Sequence, residues 1–368
     1  MRCRWSAIRD LLHSKPTSEL LSKLESDTFH NSFLDFFNNK IDNIKQSIVS
    51  RLAGRSRDPL ESDAPYVDTV LSDLKPVSVD EVRQLISSMP PNRHRWTFSR
   101  RVSWSCMSIH LLHSSLDWQD YHLMRVVFHQ KFKTASITPL LKWPELDRDS
   151  PLNYRPSSNL NTISKILKRL FFRQIQPHVN SSENFNNFQS AYRRHHSTET
   201  ALVEILDDIY KAAGTQSVVI LAALDVSAAL HTLDDTTLIN CLKHTFGITG
   251  VTLRWINSYV SERSQFVVVE QSKSNVTRRE FEVPKVVLGP ILFTLYVAPV
   301  ANIISFFGVS HHQYADDSQL YIATNRDNIQ TKLDLLRDCT TAVNDSFLLN
   351  GLSLNPDKSE VLLLGTAA

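Results

Sequence analysis

The stretch YADDSQLYI, residues 314–322, sets two adjacent carboxylates between aromatic and aliphatic residues. This pattern predicts a strand, a tight acidic turn and a second strand. The stretch SVVILAALD, residues 217–225, is a continuous apolar run that ends in a third carboxylate. Such a run is typical of a strand that is buried on both faces. We therefore expect Asp225 at the end of a buried strand, and Asp316 and Asp317 at a hairpin tip.

Outside these stretches, hydrophobic periodicity predicts a mixture of helices and strands. An apolar stripe at helical spacing runs through residues 28–52, and a capped helical pattern covers 78–89. Residues 152–160 read as an extended turn between a strand and a helix. Strands interleaved with helices indicate an α/β or α+β fold. Further helices are predicted over 163–175, 197–212, 235–247, 251–261, 289–304 and 326–345, and further strands over 136–144, 265–270, 279–283 and 360–365.

The three carboxylates are the candidate metal-binding residues. Two carboxylates about 4 Å apart repel by about 4 kcal/mol at an effective dielectric constant near 20, and a bound divalent cation removes that cost. Oxygen ligands of this kind favour magnesium, which keeps waters and shares substrate phosphates. Two such ions can hold the attacking and leaving oxygens of an in-line phosphoryl displacement. An ordinary polar turn at Asp316-Asp317 and a helix cap at Asp225 would also explain these residues.

Composition narrows the class of protein. Hydrophobic residues make up 42% and charged residues 21% of the 368-residue chain, and its net charge of +2 is nearly neutral. The four cysteines lie far apart without ligand-like spacing, which argues against a zinc module or a disulfide scaffold. No glycine-rich phosphate-loop motif occurs. Because neither a signal peptide nor a transmembrane stretch is recognised, we expect an intracellular protein of the nucleus or cytoplasm with no membrane partner.

The chain resembles the polymerase of non-LTR retrotransposons, of the LINE type and jockey-like. Tyr314-Ala315-Asp316-Asp317 is similar to the signature of reverse transcriptases. Seven other stretches carry the resemblance in the same order along the chain. They are residues 137–147, 153–170, 188–202, 224–238, 246–267, 287–297 and 350–365.

The resemblance implies an α+β fold of the right-hand polymerase type, in which fingers stand over a palm made of an antiparallel sheet flanked by helices. It also implies an RNA-directed DNA polymerase, a nucleotidyltransferase whose partners are an RNA template, a DNA primer and deoxynucleoside triphosphates. Carried over by position, Asp225, Asp316 and Asp317 are the catalytic ligands of two Mg²⁺ ions. The oligomeric state is not implied.

Five further residues receive roles from the same resemblance. Lys142 and Arg155 fall where the fingers contact the triphosphate, a sensible role because arginine offers a planar fork and lysine a point charge to phosphate. Lys358 falls where a catalytic lysine protonates the leaving pyrophosphate. Leu230 and Tyr314 are expected on the substrate side of the site. Solvated surface lysines and a turn-stabilising arginine are the alternative interpretation of Lys142, Lys358 and Arg155.

The sequence departs from the family pattern at several positions. Leu230 and His231 stand where the family has an aromatic residue and an aspartate, so the discrimination between ribose and deoxyribose is expected to be weaker. The family motif VPQGSVLGP is one residue short at 283–290, and its missing Gln-Gly pair normally lets the backbone approach the nucleotide. The chain also ends soon after Lys358, from which we expect the thumb to be absent.

Three segments are predicted. Residues 1–77 form an N-terminal helical extension and a linker, 78–215 form the fingers and first palm helices, and 216–368 form the palm with the catalytic aspartates. Within the second segment, 92–120 is irregular and rich in arginine, histidine and tryptophan. It is either a segment that binds nucleic acid or a stretch that packs poorly. We expect an impaired reverse transcriptase domain; a catalytically dead nucleic-acid-binding remnant and a translated pseudogene fragment are the alternatives.

Overall fold

The computed structural model describes residues 27–53, 67, 69–88, 128–214, 218–269, 272–279 and 288–365. Within these ranges the chain forms two β-sheets with helices packed against them. The irregular segment 92–120 and the first part of the shortened motif, 283–287, lie outside the described residues.

A four-stranded antiparallel sheet with the strand order β7-β8-β3-β9 lies at the centre of the fold. Val219 and Leu221 of β3 are buried against a helix on one side, whereas Ile220 and Ala222 belong to the main core on the other. This burial on both sides is the reason why the β3 sequence is a continuous apolar run. The strands are β3 (Val218–Leu224), β7 (Ser310–Tyr314), β8 (Asp317–Thr324) and β9 (Glu360–Leu364).

Helices cover both faces of this sheet. Ile205 of α4 (Thr198–Gly214) packs on one face, and Leu336 and Val343 of α9 (Ile329–Leu349) join the core on the other. Asp234 caps the next helix along the chain from β3, where its side chain accepts a hydrogen bond from the Thr237 N–H at 2.7 Å. The remaining helices of this core are α2 (Val79–Ser88), α3 (Thr162–Ser181), α5 (Asp235–His244), α6 (Gly250–Val260), α7 (Leu288–Val297) and α8 (Val300–Phe306).

A second sheet has the strand order β2-β1-β4-β5, with β6 also paired to β4. Its face is covered by α1 (Asp27–Leu52), because Phe33 and Leu34 of this helix pack with Ile137 and Val267. The segment predicted as an extended turn at 152–160 contains strand β2 instead, since its backbone pairs with β1. The strands are β1 (Thr134–Leu141), β2 (Tyr154–Asn159), β4 (Arg263–Val269), β5 (Ser272–Lys273) and β6 (Thr277–Arg279).

The apolar stretch predicted as a single helix over 289–304 is two helices. α7 ends at Val297, and α8 begins at Val300 after Pro299. Together they give the one helical stretch of the described residues, Leu288–Phe306, that is long and apolar enough to cross a membrane. Most of its apolar window, 72%, is buried inside the structure, as for a core helix.

Candidate active site

A cavity of about 680 Å³ lies between the two sheets, and we call it the central cavity. Charged residues from three parts of the chain line it. Asp225, Asp316 and Lys358 come from the four-stranded sheet and its loops, Lys142 and Arg155 from the five-stranded sheet, and Lys40 from α1. The remaining lining residues are Phe33, Leu34, Phe37, Ile41, Ile44, Ile137, Tyr154, Pro156, Val226, Ser227, Ala228, His231, Gln265, Val267 and Asn355.

Strand register brings the three candidate carboxylates to one edge of the four-stranded sheet. Leu224 of β3 lies opposite Ser318 of β8, so Asp225 follows β3 where Asp317 begins β8. Tyr314 and Asp317 pair across the β7–β8 hairpin, and Ala315 and Asp316 form its turn. Asp225 and Asp316 both line the central cavity.

Asp317 is in electrostatic contact with both other carboxylates. Burial raises the pKa of Asp317, and the neighbouring charges of Asp316 and Asp225 raise it further, whereas Lys358 lowers it. Like charges at one edge disfavour full ionisation, and this unfavourable energy is what a bound cation relieves. The sheet edge therefore concentrates negative charge at the mouth of a cavity whose other walls carry cations.

Asp225 is tied to the loop that precedes β9. Its Oδ2 accepts a hydrogen bond from Asn355 Nδ2 at 3.0 Å and lies 3.6 Å from Lys358 Nζ. The Asn355 N–H also donates to the Asp225 carbonyl oxygen at 2.8 Å. The side chain of Asp225 is 24% exposed, whereas that of Lys358 is 68% exposed. Lys358 can therefore leave Asp225 without disturbing the buried side of the contact.

Lys142 and Arg155 reach the central cavity from the five-stranded sheet. Arg155 lies on β2 opposite Leu140 of β1, and Lys142 follows β1 directly. Lys142 Nζ donates to the Leu152 carbonyl oxygen at 2.6 Å. Burial lowers the pKa of Lys142, and the nearby cations Lys40, Arg155 and Lys358 lower it further. Four cations thus share the space in front of Asp225 and Asp316.

A family model described as "Reverse transcriptase (RNA-dependent DNA polymerase)" matches residues 146–366. The chain belongs to the reverse transcriptase family. The match spans Arg155, Asp225, Asp316, Asp317 and Lys358, and it confirms the predicted family and the predicted α+β fold of fingers and palm. Reverse transcriptases as a family use divalent metal ions, nucleic-acid templates and nucleotide substrates.

Curated relatives of this chain include polymerases from mobile elements. The chain is 26% identical over 294 residues to the RNA-directed DNA polymerase from mobile element jockey of Drosophila funebris, covering 77% of this chain and 31% of the relative. It is 26% identical over 269 residues to a probable RNA-directed DNA polymerase from transposon BS of Drosophila melanogaster, covering 70% of this chain and 28% of the relative. The chain thus spans about a third of the length of these relatives.

Among solved structures, an apo telomerase from Candida tropicalis truncated from its C-terminal domain is similar at 15% identity. The TM-score is 0.45, and the alignment covers 66% of this chain and 52% of the telomerase chain.

Two residues expected on the substrate side of the reverse transcriptase site do not line the central cavity. Leu230 is partly buried and packs against the main core, while its neighbour His231 lines the cavity. The physical reason is the backbone: Ala228 has a left-handed φ of 50°, and a short 3₁₀ turn follows over 229–231. Tyr314 is half-buried at the end of β7 and is not a lining residue either. A steric gate at Leu230 stays a prediction, which sugar discrimination would test.

Gln189 is a site residue that the sequence did not mark. It is 1% exposed, and its Oε1 accepts a hydrogen bond from the Ala315 N–H at 2.9 Å. Its Nε2 donates to the Ala315 carbonyl oxygen at 3.3 Å. The two residues are 126 positions apart, so no local pattern connects them. Gln189 lies in the stretch 188–202 that resembles the family, but nothing there reveals which backbone group it meets.

The donor set of this edge fits a hard divalent cation. Among the described residues, no three His, Cys, Asp or Glu side chains are already gathered as a metal-binding group. Asp225 is instead bonded to Asn355 and close to Lys358, and the pKa of Asp317 is raised by burial and by its carboxylate neighbours. Carboxylate oxygens are the ligands that Mg²⁺ prefers, and the repulsion among them supplies a reason to bind it. Asp225, Asp316 and Asp317 are the residues that would hold it.

Proposed function

We propose that this chain is an RNA-directed DNA polymerase domain that extends a DNA primer on an RNA template with deoxynucleoside triphosphates. The observation that carries the proposal is the central cavity, where Asp225 and Asp316 face Lys142 and Arg155 from the other sheet. A nucleotide needs both walls, because its triphosphate is anionic and its reacting phosphorus must approach the metal-binding carboxylates. The membership of the chain in the reverse transcriptase family supports the same assignment.

The proposed reaction is an in-line displacement at the α-phosphorus. The primer 3′-hydroxyl loses its proton to a solvent water, its oxygen forms a bond to this phosphorus, the bond to the bridging oxygen of the β-phosphate breaks, and pyrophosphate leaves. Two Mg²⁺ ions, when held by Asp225, Asp316 and Asp317, would supply charge neutralisation at the attacking and leaving oxygens. Catalysis by the protein is otherwise positioning and electrostatic stabilisation.

The basic residues bind the triphosphate and protonate the leaving group. Lys142 and Arg155 bind the triphosphate, and Arg155 offers two parallel N–H donors to one phosphate group. Lys358 releases Asp225 when the site is loaded and donates a proton from Nζ to the leaving pyrophosphate. Its exposed side chain and its 3.6 Å separation from the Asp225 carboxylate support this role, since the ammonium is already beside the reacting groups.

Primer extension tests the proposal. A DNA primer annealed to an RNA template is incubated with the full chain, deoxynucleoside triphosphates and Mg²⁺, and the products are sized. We expect extension by the wild type, and none above background with Asp316→Ala or after chelation of the metal. Asp327→Ala, which removes another exposed aspartate outside the central cavity, is the matched control and should extend like the wild type. Equal extension by Asp316→Ala and the wild type would contradict the proposal.

A further inference from the structure

Helix α1 spans the central cavity from the five-stranded sheet to α9 and the loop before β9. Near its start, Phe33 and Leu34 are buried against Ile137 and Val267 of the five-stranded sheet. Near its end, Arg51 donates to Ser353 Oγ at 3.1 Å and to Asn344 Oδ1 at 3.2 Å, on the other side of the cavity. Both ends are fixed, so the middle of the helix is held over the site.

One face of this helix lines the central cavity. Phe37, Ile41 and Ile44 lie on it at the spacing of a helical stripe, and Lys40 lies beside Ile41 on the same side. Lys40 is the single charged residue that α1 contributes to the cavity lining. The packing of these apolar neighbours holds the backbone of Lys40 in place. The helix therefore limits the positions that its ammonium group can take.

Lys40 belongs to a cluster of four cations. Lys142, Arg155 and Lys358 line the same cavity. The charges of Lys40, Arg155 and Lys358 all lower the pKa of Lys142. Lys142 donates to the Leu152 carbonyl oxygen, and Lys358 lies beside the Asp225 carboxylate. Like charges gathered in one cavity repel one another, and a polyanion bound there offsets this repulsion because it attracts each of the cations.

We propose that Lys40 is a phosphate-binding residue that N-terminal helix α1 contributes to the nucleotide site, where it contacts the triphosphate of the incoming nucleotide. The inference rests on the proposed function for its substrate class. It makes α1 a wall of the nucleotide site. A triphosphate fits better than the backbone of a template strand, because it concentrates several negative charges on one small group and all four cations line this one cavity.

Titration calorimetry with inorganic tripolyphosphate, in metal-free buffer, tests the inference on the full chain. Removing one of four charge contacts with Lys40→Gln should weaken binding roughly three- to tenfold. Lys40→Arg should bind within about twofold of the wild type, because it keeps a cation at the same place. Lys243→Gln removes an exposed lysine outside the cavity and should leave binding unchanged. In parallel, the affinity for a labelled primer–template, measured by fluorescence anisotropy, should be the same for all four proteins.

Three results would overturn the inference: tripolyphosphate affinity unchanged in Lys40→Gln, a loss confined to primer–template affinity, or no measurable tripolyphosphate binding by the wild type. The second result would mean that Lys40 contacts nucleic acid. Failure of the polymerase proposal is seen separately, as absence of primer extension by the wild type. Because Lys40 is exposed, the glutamine variant should fold, and its circular dichroism spectrum should match that of the wild type.

Discussion

The side chain of Gln189 holds the backbone of Ala315 at both of its polar groups. Gln189 Oε1 accepts from the Ala315 N–H at 2.9 Å, and Gln189 Nε2 donates to the Ala315 carbonyl oxygen at 3.3 Å. Ala315 has a φ of 58°, a left-handed conformation that is uncommon for residues other than glycine. The next two residues are Asp316 and Asp317. The buried amide therefore stabilises the strained turn that places Asp316 in the lining of the central cavity, directly before Asp317.

Replacing this amide should damage the site and the fold together. Gln189→Leu removes the partner of two part-buried backbone groups of Ala315, which costs about 0.5–1.5 kcal/mol for each lost hydrogen bond. We expect a lower urea midpoint and a loss of primer extension that exceeds the loss of folded protein. Gln130→Leu, which removes an exposed amide that donates to the Glu262 carbonyl oxygen, is the matched control. Wild-type extension by Gln189→Leu would show that the turn keeps its shape unaided.

The second prediction concerns Asp235 at the start of α5. Burial raises the pKa of this carboxyl to about 6, with repulsion from Asp234 as a further cause, and its Oδ1 is buried without a hydrogen-bond partner. A carboxyl group whose pKa is higher in the folded state contributes its full stabilisation below its pKa in the unfolded chain, near pH 4. This contribution to the free energy of unfolding is lost as the pH rises through about 6. Asp235→Asn should therefore be more stable than the wild type at pH 7, by about 1–3 kcal/mol, and should lose this advantage near pH 4.

Urea unfolding of both proteins between pH 4 and pH 7.5 measures that difference directly. Asp42→Asn, which neutralises an exposed carboxylate on α1, should follow the wild type at every pH. A constant difference between Asp235→Asn and the wild type across the range would rule out titration of Asp235 as its source.

The third prediction compares Leu230 and His231 in sugar discrimination. Leu230 packs against the core, whereas His231 lines the central cavity. The ratio of deoxynucleotide to ribonucleotide incorporation should therefore change more with His231→Ala than with Leu230→Met, which keeps the apolar packing volume. Single-nucleotide extension with each triphosphate gives the ratio. A larger change with Leu230→Met would restore the steric gate to that position.

The fourth prediction follows from the shortened motif at 283–290. Positioning dominates nucleotidyl transfer, and a misplacement of about 1 Å can cost roughly 100-fold in rate. We expect weak extension by the wild type, because Lys285-Val286 replaces the Gln-Gly-Ser of the family. Substituting Gln-Gly-Ser for Lys285-Val286 should raise the extension rate under identical conditions. Strong, processive synthesis by the unmodified chain, with no gain from the substitution, would show that the short motif is sufficient.

Local patterns in the sequence predicted the strands and the hairpin that carry the site. The apolar run 217–224 predicted a buried strand ending at Asp225, and YADDSQLYI predicted the hairpin that carries Asp316 and Asp317; β3, β7 and β8 agree with both. These features are local, because the period of apolar residues and the chemistry of a turn depend on neighbours along the chain. The ordered motifs supplied the family, since a series of matches from 137 to 365 does not depend on knowing the contacts.

Which side chains meet depends on how distant elements pack in the fold. Gln189 and Ala315 are 126 positions apart. Lys40 reaches the central cavity because α1 is fixed to the five-stranded sheet at one end and to α9 and the loop before β9 at the other. Leu230 packs against the core and His231 lines the cavity because one left-handed residue, Ala228, turns the chain before them. Contacts of this kind arise from packing between elements that are distant in sequence. The pattern of one stretch does not show which residues of another stretch will pack against it.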